Sequence, residues 1–189
     1  MDENVRALGG FSSAGNARGP ERVVAFVRLR PFFAALAVLA VAPCAALAVP
    51  QKGQPAPDFS LPALQGAGTV SLDRFKGKPV YLNFFASWCG PCNAEAPSIG
   101  KLRAQYAKRG LEVVGVDELD ARNAGVSFVK KYDAPYGTVA FDDAGSVGHT
   151  YGAIAMPVHV FIDRRGVVKT YVMGEMSPAQ IETAIKAIL

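Results

Sequence analysis

The chain has no second cysteine pair to set beside Cys89 and Cys92, and its only histidines, His149 and His159, lack ligand spacing. A four-ligand zinc site is therefore not expected. Charge of one sign is also missing. Positions 1–48 hold five Arg against Asp2, Glu3 and Glu21, and the remainder holds 15 Lys and Arg against 13 Asp and Glu. With no basic stripe, and no aromatics interleaved with Lys or Arg, nothing favours a nucleic-acid surface. Internal repeats are absent as well. What remains is 189 residues, half of them apolar, enough to bury one core beside an appendage. The expected division is 1–48 as tail and leader and 49–189 as the globular domain.

Trp88-Cys89-Gly90-Pro91-Cys92 puts two thiols two residues apart where an apolar strand, Val80 to Phe85, gives way to a helix. The first N–H groups of a helix have no intrahelical partner, and its dipole favours negative charge there. A thiol at that point ionises more readily than a free one near pH 8.5. Cys89 is the expected nucleophile. Pro91 fits the first turn, where a missing N–H costs nothing, and Cys92, one step further in, is expected to be shielded and to attack second.

Around this motif the chain reads as alternating strands and helices. Val70 to Phe75 is expected as one helical turn closed by Gly77. The helix from Pro91 to about Arg109 carries Ile99, Leu102 and Tyr106 as a buried stripe, with Gly110 as its stop. Leu111 to Asp117 reads as a second core strand, and Gly125 to Tyr132 as a crossover helix that makes the two strands parallel. Asp117, Glu118 and Asp120 read as a solvated loop at the strand end. Val139 to Phe141 leads into a short helix through His149 and Tyr151. Val158 to Asp163 and Val167 to Met173 are expected as an antiparallel pair. Ser177-Pro178-Ala179-Gln180 signals the start of the last helix. The core order is thus β-α-β-α-β-β-α.

Arg22, Arg28 and Arg30 precede an apolar run from Pro31, a pattern that directs export. As a helix, 31–48 would span about 27 Å against roughly 30 Å of hydrocarbon, and Pro43 interrupts it, so an export leader fits better than an anchor. Ala46-Leu47-Ala48 is an acceptable cleavage site, although A-x-A also arises by coincidence in so Ala-rich a segment. The apolar run begins late for a leader, and the expected start of translation lies downstream of Met1. Cys44 resembles a lipoprotein cysteine, but Pro43 departs from the small residue expected before it.

The cysteine motif resembles that of the thioredoxin superfamily, and its surroundings resemble the TlpA/ResA/CcmG (DsbE-type) branch of exported thiol:disulfide oxidoreductases. Gly53 to Leu61 is similar to the branch's entry segment, Gly77-Lys78-Pro79-Val80 to its lead-in, and Met156-Pro157 with Phe161-Ile162-Asp163 to its later proline and strand. The match runs from Gly53 to Leu189. It implies an α/β, thioredoxin-like fold, a central mixed β-sheet flanked by helices, with an N-terminal extension. It also implies a reductant of protein disulfides that needs no cofactor beyond a reversible Cys89–Cys92 disulfide and no metal. Apocytochrome c and copper-site proteins are the implied client classes, and a membrane thiol the electron donor. The protein is expected as a monomer on the periplasmic side of the bacterial inner membrane, secreted or anchored by 31–48.

On spacing alone Glu95, three residues after Cys92, fits either a proton shuttle for the resolving thiol or an exposed first-turn carboxylate. The resemblance favours the catalytic role. An X-Pro bond is cis only about 5–6% of the time, yet the resemblance makes Met156-Pro157 cis and places it against the cysteines, where the preceding backbone can pair with an extended substrate. Trp88 is expected as an apolar contact beside the thiols, although an ordinary half-buried Trp would look the same. Asn83 stands where cytosolic thioredoxins carry a buried Asp. His159 stands where relatives commonly show Thr, and is expected as a packed strand residue rather than a catalytic or copper-binding one. A peroxidase of the peroxiredoxin kind would need Pro at 82 and Thr at 86, which are Leu82 and Ala86. The rival from another class is a copper chaperone holding Cu(I) through Cys89, Cys92 and either His159 or Met156.

Overall fold

Every side chain from Val80 to Phe85 is buried, so this strand must be covered on both faces. The computed structural model, which describes residues 49–189, shows how. The expected leader at 31–48 and cleavage after Ala48 lie outside the described residues. The strands are β1 (Ser60–Pro62), β2 (Thr69–Ser71), β3 (Val80–Phe85), β4 (Glu112–Glu118), β5 (Thr138–Asp142), β6 (Val158–Ile162) and β7 (Val168–Met173). The helices are α1 (Gly90–Tyr106), α2 (Arg122–Lys131), α3 (Ser146–Tyr151) and α4 (Pro178–Lys186). β5-β4-β3-β6-β7 form the central sheet, with β3, β4 and β5 parallel and β6 antiparallel to both β3 and β7. This is the thioredoxin-like fold, a mixed sheet flanked by helices.

Period-two alternation divides the core. Tyr81, Phe85, Val113 and Phe161 pack with Ile99, Leu102 and Tyr106 of α1, Phe128 of α2 and Ile181 and Ile185 of α4. Val80, Leu82, Phe84, Val114, Val116, Val158, Val160 and Ile162 pack on the other face with Tyr151, Phe59 and Val70. At roughly 1.5–3 kcal/mol for each large apolar side chain taken from water, these two layers hold the sheet in place. Ser177 and Gln180 form the expected capping box on α4.

Three expectations need correction. Val70 and Ser71 belong to β2 rather than to a helical turn; the branched Val70 pairs with Leu61 and buries fully, so only Leu72–Phe75 turns, as a 3-10 helix. Thr138–Asp142 is a full edge strand, β5, which the expected core order omits; it leads into the expected short helix, α3. Asp117 and Glu118 are not in a solvated loop: both lie inside β4, 0% and 2% exposed. Each fits because a glycine faces it. A Cβ on Gly125 of α2 would overlap the Asp117 carboxyl, and one on Gly148 of α3 would overlap that of Glu118.

Candidate active site

α1 begins immediately after Cys89, which is the helix N-cap; its Sγ accepts a hydrogen bond from the Cys92 amide at 3.1 Å. Cys89 and Cys92 are joined as a disulfide, with their Cα atoms 5.3 Å apart. Exposure hardly separates the two sulfurs, at 4% and 2% for their residues. What distinguishes Cys89 is its place at the helix start, where an N–H points at its sulfur. Trp88 is 63% exposed, and its indole N–H donates to the Leu119 carbonyl at 3.3 Å. The Met156–Pro157 bond is cis, with Pro157 buried and Met156 half-buried, packed against the cluster that contains both cysteines.

Glu95 is buried, on the same face of α1 as Cys92. Its Oε1 accepts from the Met176 amide at 2.6 Å, while Oε2 has no hydrogen-bond partner. Burial raises its pKa to about 7, against the lowering effect of the Met176 N–H and with help from the Glu175 charge. The exposed-carboxylate alternative is thereby removed.

Behind Glu95 lies a polar seam across the otherwise apolar face of the sheet. Gly115, Asn83 and His159 stand in register on β4, β3 and β6. A Cβ on Gly115 would run into the Tyr136 ring, so the bare glycine admits that ring, and its hydroxyl donates to Asn83 Oδ1 at 2.8 Å. Asn83 Nδ2 donates to the Val158 carbonyl at 3.1 Å and lies 3.2 Å from His159 Nδ1. The Tyr81 hydroxyl is 2.8 Å from the same Nδ1. The other ring nitrogen, Nε2, is 3.1 Å from the Gly174 carbonyl, which can only accept. Nε2 therefore carries the hydrogen and Nδ1 accepts. Burial lowers the His159 pKa to about 4, only partly offset by the Gly174 carbonyl, so the ring is neutral at physiological pH. Both ring nitrogens are engaged, and a Cu(I) site would have to do without this lone pair.

Asp120 supports the loop before the cysteines, beside the buried Asp117. Asp120 Oδ2 accepts from the Ser87 amide at 2.6 Å, tying the end of β4 to the residue before Trp88. Burial raises the Asp117 pKa to about 8, helped by the charge of Asp120, and both Asp117 carboxyl oxygens are buried without a hydrogen-bond partner. The folded value lies above the ordinary 3.8, so this group's contribution to stability is full below about pH 4 and is lost as pH rises toward 8. Asp117→Asn keeps the shape of the side chain and cannot ionise. It is expected to stabilise the fold by about 1–3 kcal/mol at pH 8 and by little at pH 4, read from denaturant unfolding at the two pH values. An equal change at both would show that folding does not raise the Asp117 pKa.

Of the expected site residues, Cys89, Cys92 and Glu95 share the start of α1, Trp88 precedes it, and Met156-Pro157 approaches from the loop before β6. Tyr81, Tyr136, Asp117 and Gly115 were not anticipated. A glycine inside a strand was the one available signal, marking close approach by another group.

A family model described as Redoxin matches residues 51–188. The chain belongs to the Redoxin family. Among similar Redoxin proteins, the thiol-disulfide oxidoreductase ResA of Bacillus thuringiensis subsp. konkukian is 38% identical over 136 residues, 72% of this chain and 78% of its own. The thiol:disulfide interchange protein DsbE of Escherichia coli is 34% identical over 138 residues, 72% of each chain. A crystal structure of a secreted Mycobacterium tuberculosis disulfide oxidoreductase homologous to DsbE superposes with a TM-score of 0.62 at 31% identity, covering 68% of this chain and 95% of that one. With its cysteines joined at the helix start, this Redoxin protein is a thiol:disulfide oxidoreductase.

Proposed function

We propose that the protein is an exported reductant of specific protein disulfides, with the Cys89–Cys92 pair as its redox group. The observation that carries this reading is the pair at the start of α1 with a buried, near-neutral carboxylate, Glu95, on the same helix face. The Cys89 thiolate attacks one sulfur of a client disulfide, forming a mixed disulfide and releasing the other client sulfur as thiolate. Cys92 then gives its proton to Glu95 and attacks Cys89 Sγ. The second client sulfur leaves, and the Cys89–Cys92 disulfide forms. Two electrons pass to the client, and a membrane dithiol donor returns them.

Exposed Trp88, with Ile154 at 86% exposure in the loop before Met156, supplies an apolar surface for a client segment, whose backbone pairs ahead of Pro157. Export is supported by the Arg-flanked apolar run from Pro31 and by the secreted relative. That side of the membrane is oxidising, so a reductant there needs a donor. Apocytochrome c and copper-site proteins are the client classes proposed. The globular part from Val49 onward is expected to fold alone, as a single cooperative unfolding transition of a chain starting there would show.

Glu95→Gln tests the proton step. Glu95 accepts a proton only when ionised, so resolution of a mixed disulfide should accelerate as pH rises through about 7. The Gln variant should lose that limb and resolve roughly 10²-fold more slowly at pH 8 in single-turnover measurements. A variant with the unaltered pH profile would leave Glu95 a purely structural acid.

A further inference from the structure

Glu95 Oε2 is buried without a hydrogen-bond partner, and His159 Nε2 lies 3.5 Å from it. The His159 ring is itself 0% exposed and its tautomer is held from behind: Tyr81 O–H and Asn83 N–H both point at Nδ1, leaving Nε2–H donated to the Gly174 carbonyl at 3.1 Å with the Glu95 carboxyl beside it. We propose that His159 is a positioning residue for Glu95: its Nε2–H turns from Gly174 toward the carboxylate when Glu95 ionises, and so sets how readily Glu95 takes the proton of Cys92. This deepens the proposed function and rests on its assignment of Glu95 as proton acceptor.

The groups around the carboxyl leave His159 as the adjustable one. Met176 N–H from the loop before α4 is already committed to Oε1. Glu175, in the same loop, opposes ionisation by its charge. Burial raises the pKa values of Tyr81 of β3 and Tyr136, ahead of β5, with the Glu95 charge a lesser cause, and the proton of each is given elsewhere, to His159 and Asn83. Cys92, on the helix of Glu95 itself, is the proton's source. A donor aimed at a carboxylate stabilises its charged form. The shift of a neutral N–H by a fraction of an ångström supplies that donor only when the charge is present, without placing an imidazolium in the core.

The test follows the carboxyl and the ring directly. In wild-type protein, the ring nitrogen resonances of His159 should keep the Nε2–H pattern from pH 5 to 9, while the Nε2 signal moves with the same midpoint as the Glu95 side-chain carbon. That movement should vanish in Glu95→Gln. His159→Phe should raise the Glu95 midpoint by about one pH unit, shift the resolution profile equally, and be reversed in large part by His159→Gln, which keeps an N–H donor. A Nε2 signal indifferent to the Glu95 titration, or an unshifted midpoint in His159→Phe, would overturn the proposal. If His159→Phe does not fold, the wild-type resonances decide. Because the titration is read from carbon and nitrogen signals, it stands or falls separately from the role of Glu95 in turnover, which Glu95→Gln measures by rate.

Discussion

Cys89→Ser is expected to reduce client-disulfide reduction by at least about 10³-fold, to the rate of the uncatalysed exchange. The reason lies in which atom the helix start stabilises. Sγ of Cys89 is both the acceptor of the Cys92 amide and the attacking atom, so the field of α1 acts on the nucleophile itself. A serine hydroxyl can still cap the helix, and the fold should survive with little change in unfolding midpoint, but its proton is far too tightly held for attack on sulfur near neutral pH. Reductase activity with a protein disulfide and far-ultraviolet dichroism, measured together, separate loss of chemistry from loss of structure. In reduced wild-type protein, alkylation of Cys89 should report an apparent pKa below the free-thiol value of about 8.5. Turnover within tenfold of wild type would mean that Cys92 can open the reaction instead, and the order of attack would have to be reversed.

The place of the cysteine pair was legible in the sequence because it depends on local features: a strand ending at Phe85, a helix starting at Gly90 and a proline in its first turn. The same holds for the stripe Ile99, Leu102 and Tyr106 and for the capping box at Ser177, where spacing and burial agree. Asp117 and Glu118 were misread because their burial is decided by residues remote in sequence. Without the glycines at 125 and 148, both carboxyls would have to shift from their places. Their charges looked like solvent exposure, and nothing adjacent to them shows that desolvation will keep them protonated to about pH 8 and about pH 7.

The polar seam behind Glu95 was hidden for a related reason. Asn83, Gly115 and His159 are more than 30 residues apart in sequence, and only the sheet register brings them into one row. Each alone is an unremarkable interruption of an apolar strand. Together, with Tyr81 and Tyr136, they satisfy one another and leave a single donor facing the carboxyl. As proposed, the site divides its work between a readily legible part, the two sulfurs, and a part built by topology, the proton acceptor Glu95 and the seam behind it. Loss of the first should abolish turnover, whereas loss of the second should move its pH dependence.

Cys92→Ala is expected to convert the protein from a catalyst into a trap for its own clients. The first step needs only Cys89, which the substitution leaves at the start of α1. The second needs a sulfur at Cys92, three residues away with the Cα atoms 5.3 Å apart in the disulfide state. Among the described residues Cys89 would then be the only cysteine, so no neighbouring thiol can resolve the mixed disulfide there. Covalent adducts should accumulate to near stoichiometric yield, persist on non-reducing gels and vanish on addition of dithiothreitol. The variant also tests the burial argument: alanine removes a nearly buried sulfur, a change worth about 1 kcal/mol or less of core packing, so the protein should remain folded enough to bind clients. Expressed in its native compartment, the trap should carry apocytochromes or copper-site proteins if the proposed client classes are correct. Adducts formed only with small thiols, in a variant whose Cys89 is fully reactive, would show that no protein disulfide is preferred and would remove the specificity assigned to Trp88, Met156 and Pro157.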